Sequence, residues 1–137
     1  MVIQVLKNLE LKLSSVGSGE CRNKYIDALI SYLKPHKSKL SEISKQRLIN
    51  NPLRILDTKI KAEIEIINSG PTIDQFYTND DRKHFNDVQS YLKSMNIPFI
   101  LDPLLVRGLD YYTHTTFEIT SDDIGAQNAL LGGGRYN

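Results

Sequence analysis

The chain changes its hydrophobic period twice, and that change limits its fold more than any other feature. Leu9-Glu10-Leu11-Lys12-Leu13 alternates apolar and polar residues, the signal of a strand with one buried face. Residues 18–96 then place apolar side chains at helical spacing. From Phe99 onward the β-branched and aromatic runs return, as Phe99-Ile100-Leu101, Thr115-Thr116-Phe117-Glu118-Ile119 and Ala129-Leu130-Leu131. One strand, a long helical block and three strands is the layout of an antiparallel sheet interrupted by an insertion. The expected fold class is α+β, divided as residues 1–17, 18–96 and 97–137.

Within the block, Ser18 is placed to cap a helix whose stripe is Cys21, Tyr25, Ala28, Leu29, Tyr32 and Leu33, with Pro35 ending it. Leu40, Ile43 and Leu48 mark a looser helix that Asn50-Asn51-Pro52 stops, and residues 53–56 read as a short turn. Lys59 to Ile66 alternates strictly, like a strand, yet Ile60, Ile64 and Ile67 also fit a helix. Thr72-Ile73-Asp74-Gln75 has the capping-box pattern. Asn79-Asp80-Asp81 supplies a cap and negative charge for a further helix, striped by Phe85, Val88, Leu92 and Met95 and ended by Asn96 and Pro98. Residues 2–6 suggest the tail of a helix, and residues 121–128 a loop.

Composition narrows the function classes. A chain of 137 residues with 40% hydrophobic and 24% charged residues reads as one domain, or two small ones, of a soluble protein. The single cysteine, Cys21, excludes an internal disulfide and a cysteine zinc cluster, which suits a cytoplasmic location. No run approaches the ~18 apolar residues of a membrane helix. His36, His84 and His114 are too scattered along the sequence for a metal site, so none is expected; His84 reads as a surface position. Net charge is +1, but residues 34–61 hold eight basic residues against two acidic ones, a local excess of +6. Lys34, Lys37, Lys39, Lys45, Arg47 and Arg54 are the candidates there for phosphate contact, against the ordinary alternative of a solvated lysine-rich face.

The densest chemistry is Arg107-Gly108-Leu109-Asp110-Tyr111-Tyr112, running into the strand at Thr115. A guanidinium and phenol hydroxyls on a strand make a multi-donor recognition surface. An edge strand with half-buried tyrosines and a solvated arginine would explain the same residues. This stretch through Glu118 resembles the signature of the histidyl-tRNA synthetases. Gly132-Gly133-Gly134-Arg135-Tyr136 is similar to a second block of that family, where Asn137 stands in place of the usual aspartate. Leu13-Ser14-Ser15-Val16-Gly17-Ser18, with Ser14 in place of asparagine, and Asn51-Pro52-Leu53-Arg54-Ile55-Leu56-Asp57 resemble two more.

The resemblance implies part of a class II synthetase catalytic core. It assigns residues 1–17 and 97–137 to core strands and residues 18–96 to a helical insertion domain that leans toward the tRNA acceptor stem. It implies a histidine–tRNA ligase that makes histidyl-adenylate from histidine and ATP, with Mg2+, then charges tRNA(His), as a homodimer away from membranes. Arg107 takes the catalytic role, gripping phosphate oxygens. Tyr111, Tyr112 and Tyr136 line the histidine pocket, whose floor Gly132, Gly133, Gly134 and Arg135 shape. The family's dimer-forming and ATP-gripping motifs find no counterpart here, and its anticodon-binding domain would lie beyond Asn137, so the segment alone is expected to be inactive. Two rival readings are a histidine-binding regulatory subunit of ATP phosphoribosyltransferase, against which the long helical block argues, and a tRNA-binding module without catalysis.

Overall fold

A computed structural model describes residues 9–105, 112–121 and 129–136. The alternating start becomes β1 (Leu9–Ser15), and the chain returns to the same sheet as β2 (Ile100–Leu101), β3 (Tyr112–Ser121) and β4 (Ala129–Tyr136), in the order β2-β1-β3-β4. The β1–β3 and β3–β4 ladders are antiparallel, with Leu13 opposite Phe117 and Thr116 opposite Gly134. The sheet is antiparallel except at one edge. β2 runs parallel to β1, Lys12 opposite Ile100, because the helical block serves as a long crossover that brings the chain back in its starting direction.

Side-chain alternation gives the sheet two characters. Leu11, Leu13, Phe117 and Ile119 share one face, while Lys12, Ser14, Thr116 and Glu118 share the other by direct cross-strand pairing. The glycines of β4 fall on both faces in turn: Gly133 opposite Phe117, Gly132 and Gly134 opposite Glu118 and Thr116.

Helix α1 (Gly19–Leu33) begins where Ser18 accepts from the Cys21 N–H and buries Cys21, Tyr25, Leu29 and Leu33, one per turn. Pro35 falls in a following 3-10 turn, Lys34–Lys39. The second helix, α2 (Glu42–Asn50), is capped by Ser41 but buries Ser44 rather than Ile43, which is 66% exposed. Residues 53–56 lie in the 3-10 turn Pro52–Asp57. At Lys59 to Ile66 the helix prevails, as α3 (Lys61–Asn68), with Ile60 left outside it as an extended cap. Glu63 is buried beside Ile67, while Ile64 is half-buried and Ile60 exposed. The Glu63 carboxylate accepts from Ser41 N, Ser44 Oγ and Thr58 Oγ1, each at 2.6 Å. Burial would raise this carboxyl, but those hydrogen bonds prevail and hold it below the usual range.

Thr72 makes no side-chain cap, and Ile73–Phe76 is a short 3-10 turn. The capping box forms one turn later: Thr78, not Asn79, caps α4 (Asn79–Ser94), with Asp81 closing the box. Phe85 of the α4 stripe is buried, whereas Met95 lies past the helix end and is exposed; Asn96 turns the chain away at φ +57°. The block's core gathers Cys21, Tyr25, Leu29, Leu33, Leu40, Ile55, Ile67 and Ile73. The expected helix tail at residues 2–6 and most of the loop at 121–128 lie outside the described residues.

Candidate functional site

The two motif blocks meet as neighbouring strands. Tyr112 of β3 pairs with Tyr136 of β4, and Thr116 pairs with Gly134. A Cβ built on Gly134 would stand 2.6 Å from the Tyr112 ring, and one on Gly133 would stand 2.9 Å from the Phe117 ring. The glycine run therefore has a steric cause. Each face of β4 receives an aromatic ring laid directly against backbone, and only the absence of a side chain lets it approach so closely. Thr116, opposite Gly134 and on the same face as the Tyr112 ring, carries a buried hydroxyl without a hydrogen-bond partner. From α1, Arg22 Nη1 donates to the Tyr112 carbonyl at 2.7 Å, so the helical block holds this strand from one side.

Between Tyr112 and Thr116 the ladder slips, at His114, whose φ is +57°. The backbone there turns aside to bond the β1–α1 corner. The His114 N–H donates to Gly17 O at 2.9 Å, and the Val16 N–H donates to His114 O at 2.8 Å. Gly17 has φ +64°, and a Cβ on it would meet Cys21 Sγ at 2.7 Å. Asp81 closes the junction by accepting from Ser18 N at 2.9 Å, Ser18 Oγ at 3.1 Å and Thr78 N at 3.0 Å. Burial would raise its carboxyl, but these bonds outweigh it and keep it low, so Asp81 stays charged.

Over this junction sits a pair of histidines that sequence spacing kept apart. The rings of His84 and His114 stand 4.4 Å apart at 33°. His114 Nδ1 is 3.9 Å from Asp81 Oδ1, and Arg135 Nη1 lies 2.9 Å from His84 Nε2. A guanidinium only donates, so His84 Nε2 is the acceptor. Burial, reinforced by His84 and Arg135 and opposed by Asp81, holds the His114 imidazole below its ordinary value. The surface reading of His84 is thus corrected: on α4 it is half-buried against His114 of β3 and Arg135 of β4. The spacing of Asp81 and His84, one helical turn apart on α4, was the available signal; their partners on β3 and β4 are remote in sequence. Among the described residues, no group of three or more metal-ligating side chains gathers to hold an ion.

Of the residues the resemblance assigns to the histidine site, Tyr112, Gly132, Gly133, Gly134 and Arg135 come together on the β3–β4 pair. Tyr136 is placed by its backbone opposite Tyr112. Arg107 and Tyr111 lie outside the described residues. The basic candidates divide. Lys34, Lys37 and Lys39 are exposed on the 3-10 turn after α1. Lys45 instead pairs with Glu42 at 3.2 Å and Arg54 with Asp57 at 3.2 Å, while Arg47 Nη1 donates to Arg54 O at 3.3 Å. No helix among the described residues is long and apolar enough to cross a membrane.

A sequence model described as histidyl-tRNA synthetase matches residues 31–137. The histidine–tRNA ligase of Picosynechococcus sp. is 52% identical over 132 residues, covering 96% of this chain and 31% of its own length. That of Wolbachia pipientis is 48% identical over 131 residues. The apo S. aureus histidyl-tRNA synthetase structure superposes with a TM-score of 0.68 at 36% identity, over 96% of this chain and 32% of that one. The chain spans about a third of the length of the relatives it matches.

Proposed function

The chain belongs to the histidyl-tRNA synthetase family, and on that premise we propose that it supplies the histidine-recognition strands and the helical insertion of a longer histidine–tRNA ligase. The observation that carries the proposal is the pairing of the two motif blocks, with the Tyr112 ring laid on Gly134 and Arg135 at the end of the same strand. That pairing brings Tyr112 and the glycines assigned to the amino-acid pocket onto one pair of strands, with Arg135 on the opposite face of β4 from the Tyr112 ring.

In the proposed reaction the histidine carboxylate attacks the α-phosphate of ATP. A new O–P bond forms, pyrophosphate leaves, and histidyl-adenylate remains for transfer to tRNA(His). Charge builds on the α-phosphate oxygens, where a fixed guanidinium is worth most. Arg107, adjoining the pocket strand in sequence, is assigned that position. Tyr111, Tyr112 and Tyr136 are assigned to the imidazole, because a phenol hydroxyl both donates and accepts. Mg2+ enters with ATP as part of the substrate. The full-length protein is proposed as a class II, cytoplasmic homodimer, with Lys34, Lys37 and Lys39 as the most available contacts for the tRNA backbone. Relatives at about 50% identity named histidine–tRNA ligase do not favour the ATP phosphoribosyltransferase regulatory subunit.

The experiment is single-turnover adenylate formation by the full-length protein and its Arg107→Lys variant, beside equilibrium histidine binding. Lysine keeps the charge but loses the planar fork. Loss of one preorganised donor costs about 10²–10³ in rate. Adenylation slowed by that order with nearly unchanged histidine affinity supports the assignment; a normal rate removes Arg107 from it.

A further inference from the structure

We infer that His84 is a positioning residue for the histidine pocket: it ties α4 to the Arg135 end of β4 and so holds the pocket wall from the helical block. The inference rests on the functional reading above, since it concerns the same wall.

Three observations converge on this one side chain. Arg135 directly follows Gly134, on which the Tyr112 ring lies, and by strand alternation it points to the opposite face, so a tie through it holds β4 from behind the wall. It is exposed, and a flexible arginine there would wander without an acceptor; His84 Nε2 supplies one at 2.9 Å. The His84 ring is itself held, packed at 4.4 Å against His114. That second ring is anchored in turn, because its backbone is bonded to Val16 and Gly17 and its Nδ1 faces Asp81. Asp81 lies one helical turn before His84 and is locked by Ser18 and Thr78. A single imidazole therefore links α4, β3 and β4. The charged and titratable groups facing the pair are Asp81 from α4 and Arg135 from β4.

The test uses the full-length protein with His84→Leu and His84→Gln. Leucine fills the space but accepts nothing; the glutamine carbonyl accepts from a guanidinium as Nε2 does. A hydrogen bond to a charged group corresponds to roughly tenfold in binding. In histidine-dependent ATP–pyrophosphate exchange, His84→Leu is expected to raise KM for histidine by roughly that factor with kcat within about twofold, and His84→Gln to restore KM. In the Arg135→Met background, His84→Leu is expected to add nothing. An unchanged KM in His84→Leu, a glutamine variant as impaired as leucine, or a loss confined to kcat would each overturn the inference. Histidine binding at equilibrium separates the two layers. A wild type that binds histidine but performs no exchange sinks the functional reading, and the leucine–glutamine contrast in Kd still decides His84. A wild type that does not bind histidine sinks both.

Discussion

At His114 the backbone conformation and the side-chain environment make separate demands. Its φ of +57° lies in the left-handed region, which costs an L-residue about 1–2 kcal/mol, most for β-branched side chains. His114 already carries that cost, so His114→Val is expected to lower stability by the further penalty of a β-branched side chain, and His114→Asn to lower it little, because asparagine tolerates the conformation. The titration adds a second signature. The folded imidazole, faced by His84, Asp81 and Arg135, sits below its ordinary value, so the unfolded chain binds the proton first. The contribution is complete above about pH 6.5, the unfolded value. It is lost as pH falls from there toward the folded value. Urea unfolding across that window should show stability falling with acidification in the wild type and a shallower slope in His114→Asn. Parallel slopes would mean that His114 does not carry the effect.

Among the elements, β4 makes the most specific demand. Gly134→Ala would drive a methyl group to 2.6 Å from the Tyr112 ring, a distance that forces the ring off the strand. Histidine affinity of the full-length protein should fall roughly tenfold or more, since pocket walls tolerate little displacement; unchanged affinity would separate Tyr112 from the pocket. The glycine run was legible as a motif, but not its cause, because the two rings that require it lie on another strand. Local periodicity carried what depends on neighbours in sequence. The stripe of Cys21, Tyr25, Leu29 and Leu33 and the Ser18 cap formed as read. It could not carry what depends on distant partners. Glu63 is buried because Ser41, Ser44 and Thr58 converge on it, and nothing in the alternation of residues 59–66 encodes that. For the same reason Asp81 was read only as a helix-end charge, although it also fastens the β1–α1 corner. The roles of Arg107, Tyr111 and Tyr112 came from resemblance; composition and spacing alone left an edge strand equally able to explain them.

On the scale of the whole molecule, the helical block and the sheet meet among the described residues at Gly17, Ser18, Asp81 and His114, with Arg22 reaching to Tyr112 and Tyr77 to Ser15. Changing Lys34, Lys37 and Lys39 together to alanine should weaken tRNA(His) binding and flatten its salt dependence, by roughly one unit of slope per lost phosphate contact. An unchanged slope would return these lysines to a solvated face. The central claim, that these strands build the amino-acid site of a histidine–tRNA ligase, is tested most directly by ATP–pyrophosphate exchange with the full-length protein, offered each amino acid in turn. The account predicts exchange that depends on histidine, and none from the 137-residue chain alone, which spans 31% of its relatives. Histidine binding without exchange by the full-length protein would contradict it.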